Sequence, residues 1–152
     1  MSTEEMNWEE IEQLLTCARV GRLGVVTEDG KPYVVPIGYV YSNGEIFFHT
    51  CSKGLKMDSI RRKPYVCFEV DEALPDISMY KSIVVFGTIR IIEDRSEMIP
   101  YLQKLINKYR VPQEFNKYMS KPGRNIEAEL EAVRICVITP IQVTGRKFVR
   151  RF

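Results

Sequence analysis

The densest chemistry in this chain lies in residues 45–69, E-I-F-F-H-T-C-S-K-G-L-K-M-D-S-I-R-R-K-P-Y-V-C-F-E. A strand-like apolar run, Ile46 to Phe48, ends at His49, the single histidine of the sequence. After a short polar segment, Gly54 and Lys56 stand at what reads as a helix start, and Pro64 then precedes a second strand. Strand end, glycine, lysine and helix N-terminus together are a recipe for holding a phosphate. Unpaired N–H groups and the macrodipole attract the anion, and the ammonium neutralises it. These residues alone leave the matter open. Lys53 and Lys56 serve equally as solvated lysines of a surface helix, and His49 serves as a structural histidine or as a ligand contact. Arg61, Arg62 and Lys63 read as a solvated helix end that complements the dipole.

A metal fits the same segment poorly. Cys51 follows His49 by two residues, but one histidine and one nearby cysteine fall short of the three or four ligands of a zinc site. Cys17, Cys51, Cys67 and Cys136 are widely spaced and form no C-x-x-C pair, so reduced thiols are expected. Cys67 and Cys136 sit inside apolar runs, where a free cysteine behaves as a small hydrophobe.

The 152 residues suit one domain with a real core, residues 1–152. Hydrophobic residues make up 45% and charged residues 28%, ordinary values for a globular protein. A net charge of +2, with no aromatic platform among the basic residues, argues against nucleic acid. No apolar run approaches the ~20 residues that span a membrane. The first ten residues are acidic and lack an apolar h-region, so the expectation is a cytoplasmic protein without a signal peptide.

The elements that must position the segment can be read from periodicity. In residues 1–20, Thr3 offers an N-cap with Glu4 and Glu5 in the first turn. Trp8, Ile11, Leu14, Leu15 and Ala18 then form the packing stripe of a helix of about four turns, which Gly21 ends. Residues 22–93 read as the barrel core. Strands at 23–27, 33–41 and 45–50 form an antiparallel meander, joined by a Glu28-Asp29-Gly30 turn and an Asn43-Gly44 hairpin. Pro36 interrupts the middle strand; lacking a ladder N–H, it belongs at an edge, at a bulge or facing a ligand. A helix at 54–62, a strand at 65–71 and a loop at 72–80 follow. The strand at 82–92 is apolar on both faces, which predicts burial on both sides, one of them against a partner subunit. Gly87 marks a bend within it.

Helical period returns in the segment 94–118, with Met98, Leu102, Leu105, Ile106 and Tyr109 on one face, and residues 111–125 read as irregular. In the last section, 126–152, a buried strand at 133–138 is broken by Pro140, and 141–144 continues into a basic tail. Its Arg146, Lys147, Arg150 and Arg151 are open to two readings, a frayed tail or a reach towards a phosphate. Together these signals predict an α+β domain built on an antiparallel barrel of six or seven strands with two or three peripheral helices.

G-R-L-G-V-V-T-E-D-G-K-P-Y-V-V-P-I-G-Y, then F-H-T-C-S-K-G-L-K, K-P-Y-V-C-F-E-V and Y-K-S-I-V-V-F-G-T-I-R-I-I, resembles the pyridoxamine 5'-phosphate oxidase-like FMN-binding split barrels. The match is closest to their nitroimidazole-resistance (Nim-like) branch. It holds in order and spacing over residues 8–110 and fades to a general strand pattern beyond residue 112. The resemblance implies a split β-barrel homodimer with FMN at the subunit interface. It lays Pro36, Ile37, Gly38 and Tyr39 along the flavin ring and sets His49 and Thr50 beside the flavin. Lys53, Gly54, Leu55 and Lys56 would surround the phosphate, with Ser82 near the cofactor or the dimer seam. The extra arginines that pyridoxamine-phosphate oxidases use for their substrate phosphate have no counterpart that can be placed here, so vitamin B6 synthesis is not implied.

The residues agree with this physically. FMN is a phosphate dianion on a flat, largely apolar ring, so it needs a cationic helix start at one end and a flat strand surface at the other. The implied activity is that of a small oxidoreductase passing electrons through flavin to a small-molecule acceptor, for instance a nitroaromatic compound, with NAD(P)H as a candidate donor. His49 is the candidate proton donor, its ordinary pKa lying near neutrality. The alternatives are a non-catalytic flavin-binding or redox-sensing protein, or a split barrel holding haem, with His49 as its axial ligand, or a deazaflavin.

Overall fold

A computed structural model describes residues 3–150 of the chain. Its strands are β1 (Glu4–Glu5), β2 (Gly21–Val26), β3 (Pro32–Ile37), β4 (Val40–Ser42), β5 (Glu45–Cys51), β6 (Tyr65–Ala73), β7 (Met79–Ile92) and β8 (Val133–Val149). Its helices are α1 (Trp8–Cys17), α2 (Leu55–Arg62), α3 (Arg95–Tyr109), α4 (Phe115–Met119) and α5 (Ile126–Ala132). One antiparallel sheet runs β3-β2-β6-β7-β8-β5-β4, with β1 added on β8. The α+β class and the antiparallel barrel are as the sequence predicts. The eight strands and five helices among the described residues exceed the expected numbers because β1 and the short α4 and α5 carry weak signals.

The long run at 33–41 divides into β3 and β4, which lie at opposite ends of the sheet path, so the expected meander stops at Gly38. The open seam of the barrel runs between these two consecutive strands. Pro36 pairs with Arg22 on β2 and faces no strand on its other side, the edge position that its missing N–H requires. Asn43 (φ 53°) and Gly44 (φ 75°) make the left-handed β4–β5 hairpin turn that their dipeptide predicts.

Two cores share the sheet. Inside the barrel, Leu23, Phe68, Val70, Ile83 and Val85 pack with Ile11, Leu14 and Leu15 of α1 and with Met57 and Ile60 of α2. On the outer face of β4, β5 and β8, Phe47, Ile135 and Val137 pack against Met98, Leu105 and Ile106 of α3, Phe115 and Met119 of α4, and Leu130 of α5. Successive residues of β5 and β8 therefore enter different cores, which is why both strands read as continuous apolar runs. β7 buries one face within the chain and leaves open the face expected to meet a partner. Ile83, Val85 and Ile89 point inward, whereas Val84 is half-buried and Phe86 is 45% exposed.

Several local expectations are corrected. The cap of α1 is Asn7, not Thr3: its side chain accepts from the Glu10 N–H at 2.9 Å while the Glu10 carboxylate accepts from the Asn7 N–H at 3.2 Å, a capping box. Thr3 is drawn instead to β8, where its hydroxyl meets the Arg146 guanidinium at 2.9 Å. Trp8 is 54% exposed rather than packed. α1 ends at Cys17, and Gly21 opens β2, where the Phe68 ring occupies the space a side chain would need. Pro140 does not break β8; the strand continues past it, and the register slips there opposite Gly87. The basic residues are not a loose tail. Arg146 and Lys147 lie within β8, Lys147 pairs with Glu10 at 2.9 Å, and the Arg150 N–H donates to Ser78 at 2.7 Å. Arg151 lies outside the described residues.

Candidate functional site

Between the barrel seam and the helical segment α3–α5 lies a cavity of ≈ 630 Å³, within the usual range for small-molecule sites. Five of the residues singled out by sequence meet on one side of it: Pro36, Ile37 and Gly38 from the end of β3, His49 from β5 and Lys56 from α2. The opposite side is one the sequence did not reveal. Leu102, Leu105, Ile106 and Tyr109 of α3 supply most of the apolar floor, with Phe115, Met119 and Leu130. Arg110, Tyr118, Arg124 and Glu129 supply the polar rim.

The geometry of α2's start follows from Gly54, whose φ of 126° only glycine adopts without strain. As N-cap it offers no side chain to the first N–H groups, so those donors point outward unpaired by any capping bond. Lys56, two residues on, is half-buried, and among the described residues it pairs with no carboxylate. Its ammonium stands 6.0 Å from the Phe48 ring centroid. A cation held partly out of water without a counter-ion is poised for an anion. Lys53 and Leu55 are exposed beside it and do not line the cavity.

His49 is on the outward face of β5, open at the cavity and enclosed by protein on its flanks. That enclosure lowers its pKa, and the charges of Lys56 and then Arg110 lower it further. The imidazole is therefore held towards its neutral form, and an anion on those two cations would relieve only the smaller, coulombic part of the lowering, burial being its first cause. Thr50, its neighbour, faces the barrel interior, is 9% exposed and pairs with Arg134 in the ladder. Tyr39 also turns inward. Its ring is fully buried edge-on to Phe68, and its hydroxyl donates to the Leu15 carbonyl at 2.5 Å. Ser82 lies away from the cavity on the outer face of β7, opposite Asp71 and Arg146.

The Gly38–Tyr39 link between the two seam strands is clasped by α3. The Tyr109 hydroxyl accepts from the Tyr39 N–H at 2.7 Å and lies 2.7 Å from the Tyr39 carbonyl and 2.8 Å from that of Arg19. The Lys108 ammonium donates to the Ala18 and Tyr39 carbonyls at 2.6 and 2.9 Å. It also sits 4.2 Å from the Tyr39 ring centroid. Burial, and then the charge of Arg19, brings its pKa down to about 8. A Cβ on Gly38 would touch the Tyr109 ring and hydroxyl at 3.4 Å, so the flat cavity wall and the clasp are built against each other. Tyr109 was visible in the sequence only as one member of an apolar helix face.

Among the described residues, no cluster of three or more histidine, cysteine or acidic side chains has the spacing of a metal site. Cys136 is buried and its thiol is pushed up to about 12 by desolvation, so it is an inert core residue. No helix among the described residues is long and apolar enough to cross a membrane.

An open-seamed antiparallel barrel with a cationic, apolar-floored cavity beside the seam defines a split-barrel ligand-binding protein. The chain belongs to the pyridoxamine 5'-phosphate oxidase family, whose sequence model matches residues 7–147. No curated protein sequence matches the chain. Solved structures share its fold. A candidate 5-nitroimidazole antibiotic resistance protein from Bacteroides thetaiotaomicron aligns with a TM-score of 0.78 at 21% identity, over 96% of this chain and 87% of that one. A FAD-binding protein from Mesorhizobium loti aligns with a TM-score of 0.72 at 26% identity, over 97% and 99%. An F420 reductase aligns with a TM-score of 0.62 at 24% identity, over 87% and 94%.

Proposed function

We propose that this protein is an FMN-binding oxidoreductase that acts as a homodimer and passes electrons through the flavin to a small acceptor. The observation that carries the reading is Lys56. It is a half-buried cation that meets no carboxylate among the described residues, two residues past the left-handed Gly54, in the same cavity as the flat Pro36–Gly38 wall. That donor set fits a ligand with a phosphate at one end and a flat ring at the other. Lys56, with the open N–H groups around Gly54 and Leu55, would take the phosphate, and Lys53 would add charge from solvent. Pro36, Ile37 and Gly38 would lie along the ring. Bound flavin supplies hydride and electron transfer, here from a nicotinamide donor. His49, held towards its neutral form mainly by burial, is suited to donating a hydrogen bond to the ring.

The outer face of the sheet supports the dimer. Val34, Cys67 and Phe86 form one outward row across β3, β2, β6 and β7, and Pro36, Arg22, Glu69 and Val84 form the next. Val34 is 62% exposed and Phe86 is 45% exposed. The second row begins at Pro36, so a partner seated on this face would border the cavity.

The test is a titration of the purified protein with FMN, followed by visible absorbance and flavin fluorescence. Lys56→Ala is expected to weaken binding by about 1.5–3 kcal/mol, the worth of a hydrogen bond to a charged group. A protein that takes up no FMN refutes the cofactor. FMN that binds but is not bleached by NADH or NADPH without oxygen refutes the nicotinamide-driven activity.

A further inference from the structure

The cavity has a second cationic end that the flavin reading does not use. Arg110, at the end of α3, lines the cavity beside Tyr118 and has a 3.5 Å contact with the Tyr109 carbonyl, and among the described residues it meets no carboxylate. Arg124 comes in from the loop between α4 and α5. One of its nitrogens donates to the Tyr118 hydroxyl at 2.9 Å, and its guanidinium carbon stands 4.3 Å from the Tyr118 ring centroid. Arg110 and Arg124 both draw the Tyr118 phenol below its usual pKa, Arg110 more strongly, so two guanidiniums converge on one oxygen. Convergence of like charges on a single neutral group is costly without an anion to share. Arg124 has a partial counter-ion in Glu129 at 3.3 Å; Arg110 has none among the described residues.

We propose that Arg110, Arg124 and Tyr118 form a carboxylate-recognition end of this cavity, and that the acceptor it takes is a carboxylate on a flat apolar body. The chemistry of the site selects this class. Two guanidiniums and the Lys121 ammonium, 4.8 Å from the Tyr118 ring centroid, face the single Glu129 carboxylate, an excess of positive charge that an anion would offset. Planar guanidinium forks match a planar carboxylate bidentately. The floor between this end and the Pro36–Gly38 wall is apolar, made by Leu102, Ile106, Phe115 and Met119, and suits an aromatic or aliphatic body rather than a sugar or a polar chain. Arg110 also lowers the His49 pKa, so its charge is felt across the cavity at the group placed beside the flavin. An anionic acceptor bound at Arg110 would offset that one contribution, the smallest of the three that lower the His49 pKa.

The proposal rests on the flavin reading for the word acceptor, and its test separates the two. Benzoate and its neutral isostere benzamide are titrated into the protein with and without FMN, by calorimetry. Wild type is expected to bind benzoate at least tenfold tighter than benzamide in both forms. Arg110→Gln and Arg124→Gln should each bring that ratio towards one. Arg110 is exposed and among the described residues makes no ion pair, so Arg110→Gln reads the site even if Arg124→Gln unfolds the α4–α5 region. Equal binding of the two probes by wild type overturns the proposal, as does a ratio unmoved by Arg110→Gln. Benzoate that competes with FMN would belong to the flavin's own site and overturns it as well. Arginine-dependent benzoate binding in a protein that takes up no FMN would sustain the carboxylate site and sink the flavin reading alone.

Discussion

Replacing Tyr109 with phenylalanine tests whether α3 holds the seam of the barrel in place. The hydroxyl accepts one hydrogen bond from the Tyr39 N–H and has one proton to give, to the carbonyl of Tyr39 or of Arg19. Tyr109→Phe removes both bonds and little else, because the ring still fills its place against Gly38. Each lost bond costs about 1 kcal/mol, and leaving the Tyr39 N–H unpaired in a partly buried position adds up to about 1 kcal/mol more. Lys108 still serves the Tyr39 carbonyl at 2.9 Å, so the acceptor is not orphaned. The expected loss is about 2–3 kcal/mol, or a melting point lower by roughly 5–10 °C for a chain of this size. Urea unfolding followed by circular dichroism measures it, with the slope m unchanged because the folded and unfolded surfaces are the same. FMN affinity should fall in parallel, since the Ile37–Gly38 wall is anchored through Tyr39. A loss below about 0.5 kcal/mol would mean that the clasp does not hold the seam.

Glu69 has its pKa raised to about 7, first by desolvation and then by Asp71, against the opposing pull of Arg22. The folded form holds its proton more tightly than the unfolded one, so this group's stabilisation is complete below the ordinary 4.5 and is lost as pH rises through 7. Glu69→Gln should therefore gain on wild type between pH 4.5 and 8 in thermal melts, and parallel curves would exclude this coupling. Lys108 has the opposite sign. Its folded pKa of about 8 lies below the ordinary 10.5, so it adds stability as pH rises across that window. Lys108→Met should flatten that rise, and an unchanged slope would show the ammonium to be well solvated. Gly21→Ala would set a Cβ 2.1 Å from the Phe68 ring, which is wholly buried. A loss of about 3 kcal/mol in urea unfolding is expected from overpacking, and a neutral result would mean that the ring can turn aside.

The sequence by itself determined the parts of this protein that depend on neighbours along the chain. Alternating apolar residues set the strands, Asn43-Gly44 set the tight hairpin, and Gly54 set the entry to α2 beside Lys56. Pro36 announced an edge because a missing N–H is a local fact with a topological consequence. The FMN-side half of the cavity was legible for the same reason, its residues lying within 21 positions of one another between Pro36 and Lys56. Only the tertiary structure decided which faces those residues present. Alternation along β5 sends Thr50 into the barrel while its neighbour His49 opens on the cavity, and the turn after Gly38 drives Tyr39 into the core. The arginine end was illegible because Arg110 and Arg124 reach one cavity from either side of α4, and charged residues in an irregular segment look like any solvated surface. The clasp was hidden too, since Tyr109 and Lys108 reach Tyr39 across 70 and 69 positions of chain. Side-chain type is written in the sequence; the company a side chain keeps is settled by packing.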